Sequence, residues 1–244
     1  MVPNAPVRNA DGSFAGPQEE ITLSFDNPVA RALETNDVNR KTRLLANIYL
    51  EADIFPSLTY RTEFGTDLVF SNHHTFFPSF NRGNFFGKSG VRERTGSNRF
   101  WINKHLLTFQ QTINQRHHLS LLGGFEIQEG EYEWLFASRE NLPNNQLESI
   151  NLGDLGQQQT DGGSGHWALV SWFGRLNYNF DERWLLTSTI RVDGSSRFGP
   201  SNRYGVFPSG AIAWRLSQER FLEDFDVLDN LKIRFGIGEV GNQE

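Results

Sequence analysis

The sequence predicts an all-β fold, an antiparallel transmembrane β-barrel segment of about eight long strands. Three observations predict it. Segments along most of the chain alternate apolar and polar side chains with period two, the pattern of a strand with two unlike faces. These segments run roughly 11 to 14 residues, about twice the usual strand in a globular sheet and the length a tilted strand needs to cross a bilayer. The connections alternate between tight turns and long loops, as at the two rims of an outer-membrane barrel.

Composition agrees with strands and turns. Of 244 residues, 21 are Phe and 23 Gly, aromatics make up 13%, and there is one Met. Aromatic rings fit a pleated surface and Gly supplies turn conformations. A mean hydropathy of -0.50 is compatible with a barrel, because such strands are apolar on one face only. The formal net charge of -6 argues against a nucleic-acid partner, since phosphate binding needs a basic face. With no Cys, disulfides, Cys zinc sites and thiol catalysis are excluded. No apolar run approaches a membrane helix, and Met1-Val2-Pro3-Asn4 carries no signal-peptide pattern, so any export signal is expected outside this chain.

Residues 1–41 read as a loop-rich lead-in, punctuated by Pro3, Pro6, Asp11-Gly12-Ser13, Gly16-Pro17 and Asn27-Pro28, with one short strand at Ile21–Phe25. From Leu44 to Ile54 the even positions read Leu, Ala, Ile, Leu, Ala, Ile, against Asn47, Glu51 and Asp53; from Leu58 to Phe70 they include Leu58, Tyr60, Phe64 and Phe70, against Arg61, Glu63 and Asp67. A one-residue slip would turn an apolar face into the polar layer, so the join must preserve parity. A three-residue turn at Phe55-Pro56-Ser57 does so, setting Ile54 opposite Leu58 and Glu51 opposite Arg61.

A long loop is expected over residues 72–98, then strands at Arg99–Gln111 and His118–Gln128 turned at Asn114–His117, then a second long loop over residues 138–166. In 118–128 the odd positions form the apolar face; Lys104 and His105 blur the alternation of 99–111, whose faces stay unassigned. Trp167–Phe180 and Arg183–Asp193 both carry apolar even positions and are joined by Asp181-Glu182-Arg183, with Phe180 opposite Trp184. After a loop at 194–203 comes a strand at Tyr204–Leu216, then a connector at 217–230 with a helical turn at Gln218–Glu223, and a strand at Leu231–Gly238. Phe55, Phe70, Trp167, Phe180, Trp184 and Tyr204 fall near strand ends, where barrels carry aromatic girdles. The same alternation also fits a soluble sandwich or propeller that buries its apolar faces in a core, functioning as a soluble or surface-attached β-rich carbohydrate-binding or adhesion module.

Motifs for chemistry are weak. His73-His74 and His117-His118 are adjacent pairs whose side chains point oppositely in a strand, and they read as solvated loop histidines. Asp154 with Asp161-Gly162-Gly163-Ser164-Gly165 falls short of a calcium loop and reads as a flexible one. Neither a phosphate-binding loop nor a catalytic triad order is present. No enzyme activity, metal site or cofactor is therefore expected.

One block identifies a family. Arg191-Val192-Asp193-Gly194-Ser195-Ser196-Arg197-Phe198-Gly199-Pro200, then Phe207-Pro208-Ser209, Ala213-Trp214-Arg215-Leu216, Leu231-Lys232-Ile233-Arg234-Phe235-Gly236 and Gly241-Asn242-Gln243, in this order and spacing, resembles the SusC/RagA family of TonB-linked outer-membrane transporters. Asp11-Gly12-Ser13-Phe14, Asn27-Pro28 and Tyr49-Leu50-Glu51 are consistent with it. The resemblance implies an importer of oligosaccharides or peptides in the outer membrane, working with a SusD-like lipoprotein and the TonB complex. It implies a 22-stranded barrel with an N-terminal plug, of which this chain looks like a middle piece, an incomplete barrel without plug domain or TonB box. Residues 42–244 are then a partial receptor barrel. Its lumen-facing positions are expected at Glu51, Arg61, Glu63, Arg175, Arg191 and Asp193. The motif loop Asp193, Gly194, Ser195, Ser196, Arg197 and Phe198 reads as a glycine-capped strand end whose charges pair with neighbouring strands, rather than as a ligand site.

Overall fold

Alternation along the chain becomes pairing across it. The computed structural model describes residues 6–16, 27–82, 85–222 and 230–241. The expected strand at Ile21–Phe25 lies outside these residues, as do Met1–Asn4, Glu223 and Asn242-Gln243. Among the described residues a helix, α1 (Pro28–Glu34), precedes ten strands: β1 (Asn36–Phe55), β2 (Leu58–Phe77), β3 (Phe80–Arg82), β4 (Phe85–Gly87), β5 (Gly90–Ile113), β6 (His117–Glu140), β7 (Gln159–Phe180), β8 (Trp184–Ser195), β9 (Tyr204–Arg215) and β10 (Lys232–Gly238). Eight form one sheet in the order β1-β2-β5-β6-β7-β8-β9-β10, and β3 pairs with β4 in a separate hairpin.

Five strands are far longer than expected, at 20 to 24 residues. The regular pattern begins at Asn36 rather than Leu44, and the loop expected over 72–98 is strand up to Phe77 and again from Gly90. The loop expected over 138–166 shrinks to 141–158, so Asp161 to Gly165 is part of β7 and no flexible loop. The expected helical turn resolves into two short 3-10 turns, Leu216–Gln218 and Arg220–Leu222.

Contacts divide the chain into two units, one of Met1–Arg43, Leu68–Asn98 and Tyr132–Gly165, the other of Leu44–Asp67, Arg99–Glu131 and His166–Glu244. In the first, Asn27 caps α1: its side chain accepts from the Val29 and Ala30 amides at 3.1 and 3.2 Å and donates to the carbonyls of Val7 and Ala15 at 2.8 and 3.0 Å. Pro28 at the first helical position costs no hydrogen bond there. Asp11 accepts from the Ser13 amide at 2.9 Å and hydroxyl at 2.6 Å, which turns the chain between the bridged Arg8 and Phe14. Phe76, Val91 and Leu142 form a small core with Ile150 against it.

In the second unit the pairing keeps apolar with apolar. Tyr178 faces Leu186, which faces Ile212, which faces Phe235; Phe180 faces Trp184, which faces Trp214, which faces Ile233. The two tryptophan rings stack 5.1 Å apart at 4°, a geometry that adds about 0.5–1.5 kcal/mol beyond area burial. The turns after β5 and β7 share one device. Asn114 and Gln115, like Asp181 and Glu182, have φ between 51° and 58°, and Arg116 and Arg183 donate back to Ile113 and Phe180 at 3.2 and 3.0 Å. Two successive positive φ values make type I′ turns, whose twist matches the strands they join. Arg116 also grips the Asp181 carboxylate with two bonds of 2.9 Å, tying one turn to the other. The guanidinium groups of Arg116 and Arg183 hold that carboxyl well below its ordinary range. Strand β1 runs through Phe55, and Arg61 reaches Glu51 at 3.5 Å while Thr59 donates to Asp53 at 2.7 Å, so the odd positions of β1 and β2 share a face as the parity argument requires.

Candidate functional site

Polar side chains gather on the face of the second unit opposite the apolar one. Arg191 donates from Nε to both Asp193 oxygens at 2.7 and 2.9 Å and from a terminal nitrogen to Ser171 Oγ at 2.9 Å. Glu126, 6% exposed, lies 3.4 Å from Arg191, 3.5 Å from Lys104 and 2.5 Å from Gln128. Two cations thus balance two carboxylates, which is what makes a buried Glu tolerable. On β1 and β2, Arg61 binds Glu63 at 2.6 Å and sits over the Tyr49 ring at 4.2 Å. Arg175 pairs with Thr189, on the same parity as Arg191 and Asp193. Of the six residues expected to face the lumen, Arg61 contacts both Glu51 and Glu63, Arg191 contacts Asp193, and Arg175 is exposed on the same parity as the latter pair.

The motif loop is a strand cap. Ser195 donates its amide to the Arg203 carbonyl at 3.0 Å, and Ser196 bonds Ala168 through its amide at 2.9 Å and its hydroxyl at 2.8 Å. Arg197 lies over the Trp167 ring at 5.1 Å. Gly194 pairs with Tyr204, whose ring occupies the space a Cβ would need. Gly194, Ser195, Ser196 and Arg197 thus meet β7, β9 or the residue before β9, whereas the Asp193 carboxylate pairs with Arg191 on its own strand and the Phe198 amide bonds the Ser195 carbonyl at 3.4 Å.

Other expectations change. His73 and His74 lie in β2, not a loop, and both meet carboxylates: His73 with Asp37 at 2.5 Å, His74 with Glu93 at 2.6 Å and Glu148 at 3.2 Å. Both ring nitrogens of His74 are engaged, and no group of three His, Asp or Glu side chains is placed to hold a metal ion among the described residues. His117 and His118 do point apart, the first to Tyr178 at 2.7 Å and the second to Thr112 at 3.0 Å. Trp167 is not a girdle residue. It sits mid-strand on the polar parity, stacked on Phe100 at 6.0 Å over Gly130, where a Cβ would overlap its ring. Lys104, Glu126 and Ser171 were not singled out by sequence; each is one polar residue on an alternating strand, and what makes them a cluster is pairing across 20 to 65 residues.

A second polar region belongs to the first unit, a cavity of about 370 Å³ beside α1 and β3, lined by Arg31, Arg82, Lys88, Arg92 and Arg139 among others.

Comparison with known proteins accounts for this architecture. The family model described as TonB dependent receptor-like, beta-barrel matches residues 5–242. TonB-dependent receptor P3 of Formosa agariphila is 34% identical over 247 residues, covering 99% of this chain and 24% of that protein. TonB-dependent receptor SusC of Bacteroides thetaiotaomicron is 55% identical over 75 residues, 31% of this chain and 8% of that protein. Among solved structures, one titled as the structure of the RagAB peptide transporter superposes with a TM-score of 0.85 at 21% identity, over 93% of this chain and 26% of that one. The chain spans about a quarter of the length of the curated relatives it matches along its whole length. It belongs to the TonB-dependent receptor β-barrel family, in its SusC/RagA branch.

Proposed function

We propose that this chain forms part of the barrel wall of an outer-membrane transporter that imports oligosaccharides or peptides with a SusD-like lipoprotein under TonB control. Residues 42–244 are the barrel portion of this reading, and Glu51, Arg61, Glu63, Arg175, Arg191 and Asp193 line or brace its lumen. The observation that carries it is exposure on interior strands. Leu186, Ile190, Val206 and Ile212, on β8 and β9, are 41 to 52% exposed although both strands are paired on either side. A soluble sandwich would bury that face, since apolar area removed from water is its main source of stability. A barrel wall leaves it to lipid and keeps the charges opposite it on a polar interior. The peptide alternative draws on RagAB, a peptide transporter by name, and the oligosaccharide alternative on the family resemblance of the sequence.

The test is thiol labelling of single Cys substitutions at positions 186 and 190 in the full-length protein, reconstituted in lipid vesicles. Lipid-borne probes are expected to react there, and water-soluble probes at 187. Protection of 186 and 190 from lipid probes would remove the membrane reading and restore the soluble binding module.

A further inference from the structure

We propose that the cavity beside α1 is a subsite for an anionic sugar residue of the cargo, a uronate or a sulfate ester, a proposal that rests on the transporter reading above. At about 370 Å³ the cavity falls in the range of small-molecule sites. Five cationic side chains line it, Arg31, Arg82, Lys88, Arg92 and Arg139, against two carboxylates, Glu34 and Glu140, an excess of three positive charges. The whole chain has a formal net charge of -6, so this local excess runs against the background.

The cations are also held apart from neutralising partners. Arg82 pairs with Glu34, but Arg139 spends its guanidinium on neutral acceptors, the Asn151 carbonyl at 3.3 Å and Gln158 Oε1 at 2.7 Å. Arg92 lies over the Phe77 ring at 4.8 Å, which fixes its position without cancelling its charge. Among the described residues no carboxylate lies within ion-pair distance of Arg31, Lys88, Arg92 or Arg139. Planar guanidinium groups suit bidentate binding of a carboxylate or sulfate.

Thr35, Ser138, Gln159 and Glu140 share the walls. They supply hydrogen-bond partners for a polyhydroxyl ring, and Glu140 in particular accepts from sugar hydroxyls. Acidic peptide side chains carry no comparable set of hydroxyls to meet these groups, which favours a saccharide over a peptide as the source of the anion.

The test uses the full-length receptor in detergent on an array of neutral, uronate-bearing and sulfated oligosaccharides, with tetraglutamate as a competitor. Bound glycans are expected to carry carboxylate or sulfate, and binding is expected to weaken as salt rises from 50 to 500 mM NaCl. The double substitution Lys88→Gln and Arg92→Gln, which changes two side chains on the cavity wall and none in the Phe76 core, is expected to lower affinity for them about tenfold or more. Binding confined to neutral glycans, anionic glycans bound with unchanged affinity by the double variant, or no anionic glycan bound at all would overturn the subsite. Displacement by tetraglutamate more effective than by any anionic glycan would assign the anion to a peptide and overturn the saccharide. Each of these outcomes leaves the lipid-labelling result at 186 and 190 unaffected, so a failed subsite and a failed transporter are distinguishable.

Discussion

Strand β2 changes character half-way along. Its residues in the second unit, Leu58 to Asp67, put Leu58, Tyr60 and Phe64 on even positions and Arg61, Glu63 and Asp67 on odd ones; its residues in the first unit reach Phe70 and then place Asn72 and His74 on the parity that was apolar. Strand β7 makes the same change in reverse, from Gln159-Thr160-Asp161-Gly162-Gly163-Ser164-Gly165 in the first unit to the alternating run after His166 in the second. Backbone pairing does not need alternation, since main-chain bonds hold either half. Alternation is imposed by what each face meets. On the barrel reading proposed above, one face of the second unit meets lipid, whereas in the first unit polar residues stand on both faces of these strand segments and the apolar ones gather in the small core of Phe76, Val91 and Leu142.

The sharpest way to break that comparison is to put a charge on the same face in each unit. Leu186→Arg in the second unit is expected to cost about 2–4 kcal/mol if it lies near the bilayer midplane. Leu135→Arg in the first unit, on the parity of Leu121, Phe125 and Ile127 and 58% exposed, is expected to stay within about 0.5 kcal/mol. Thr187→Arg, on the opposite face from Leu186, is expected to be tolerated. Urea titration of the full-length protein folded into vesicles reads all three. Equal costs at 186 and 135 would mean that the two units share one environment.

That contrast also explains what the sequence disclosed. Strand existence, order, the Phe180–Trp184 pairing and the Glu51–Arg61 contact were legible because parity carries them wherever one face is apolar. Strand length was not. Asn72 to Thr75 and Asp161 to Gly165 have no apolar face to reveal a strand, so they read as loops. The faces of β5 were hidden by neighbours with opposite roles: Lys104 reaches Glu126 on the polar side, while His105 serves as an aromatic on the other, bonded to Tyr60 at 2.6 Å and stacked on Phe125 at 6.3 Å. Of the candidate site, Arg191 and Asp193 were visible two residues apart, but their buried partner Glu126 lies 65 residues from Arg191, and no local pattern marks it.

Glu126 supplies the next test. Removing it leaves Lys104 and Arg191 facing each other without a carboxylate between them. Because both cations are about a third exposed, solvent screens much of the penalty that a fully buried pair would show. Glu126→Ala is expected to cost about 1–3 kcal/mol, against about 0.5 kcal/mol or less for Glu140→Ala on the exposed part of the same strand. Denaturant midpoints of the two full-length variants decide it, and a loss at Glu140 as large as at Glu126 would show that the polar cluster adds no stability of its own.

The smallest expected effect is a pH dependence confined to the first unit. His74 bridges Glu93 on β5 and Glu148 in the connection after β6, and Asn36 donates to the same Glu148 at 2.7 Å. The hydrogen bond to Glu93 is the main cause that raises the His74 pKa, burial opposes it, and Glu148 adds to the rise. Arg40, Asn72 and Val38 complete the surroundings. A raised folded-state pKa means that the bridge contributes in full below the ordinary histidine value near 6.5, and that its contribution is lost as pH rises through the folded value. With all three groups partly exposed, the contribution is at most about 1 kcal/mol. Hydrogen exchange of the full-length protein, corrected for intrinsic chemistry, is expected to show amides near Leu147 losing a few-fold protection as pH climbs from 6 to 9. His74→Asn is expected to remove that pH dependence while leaving amides of β8 unchanged. Equal pH dependence in the variant, or the same loss of protection in β8, would separate His74 from the anchoring of this connection.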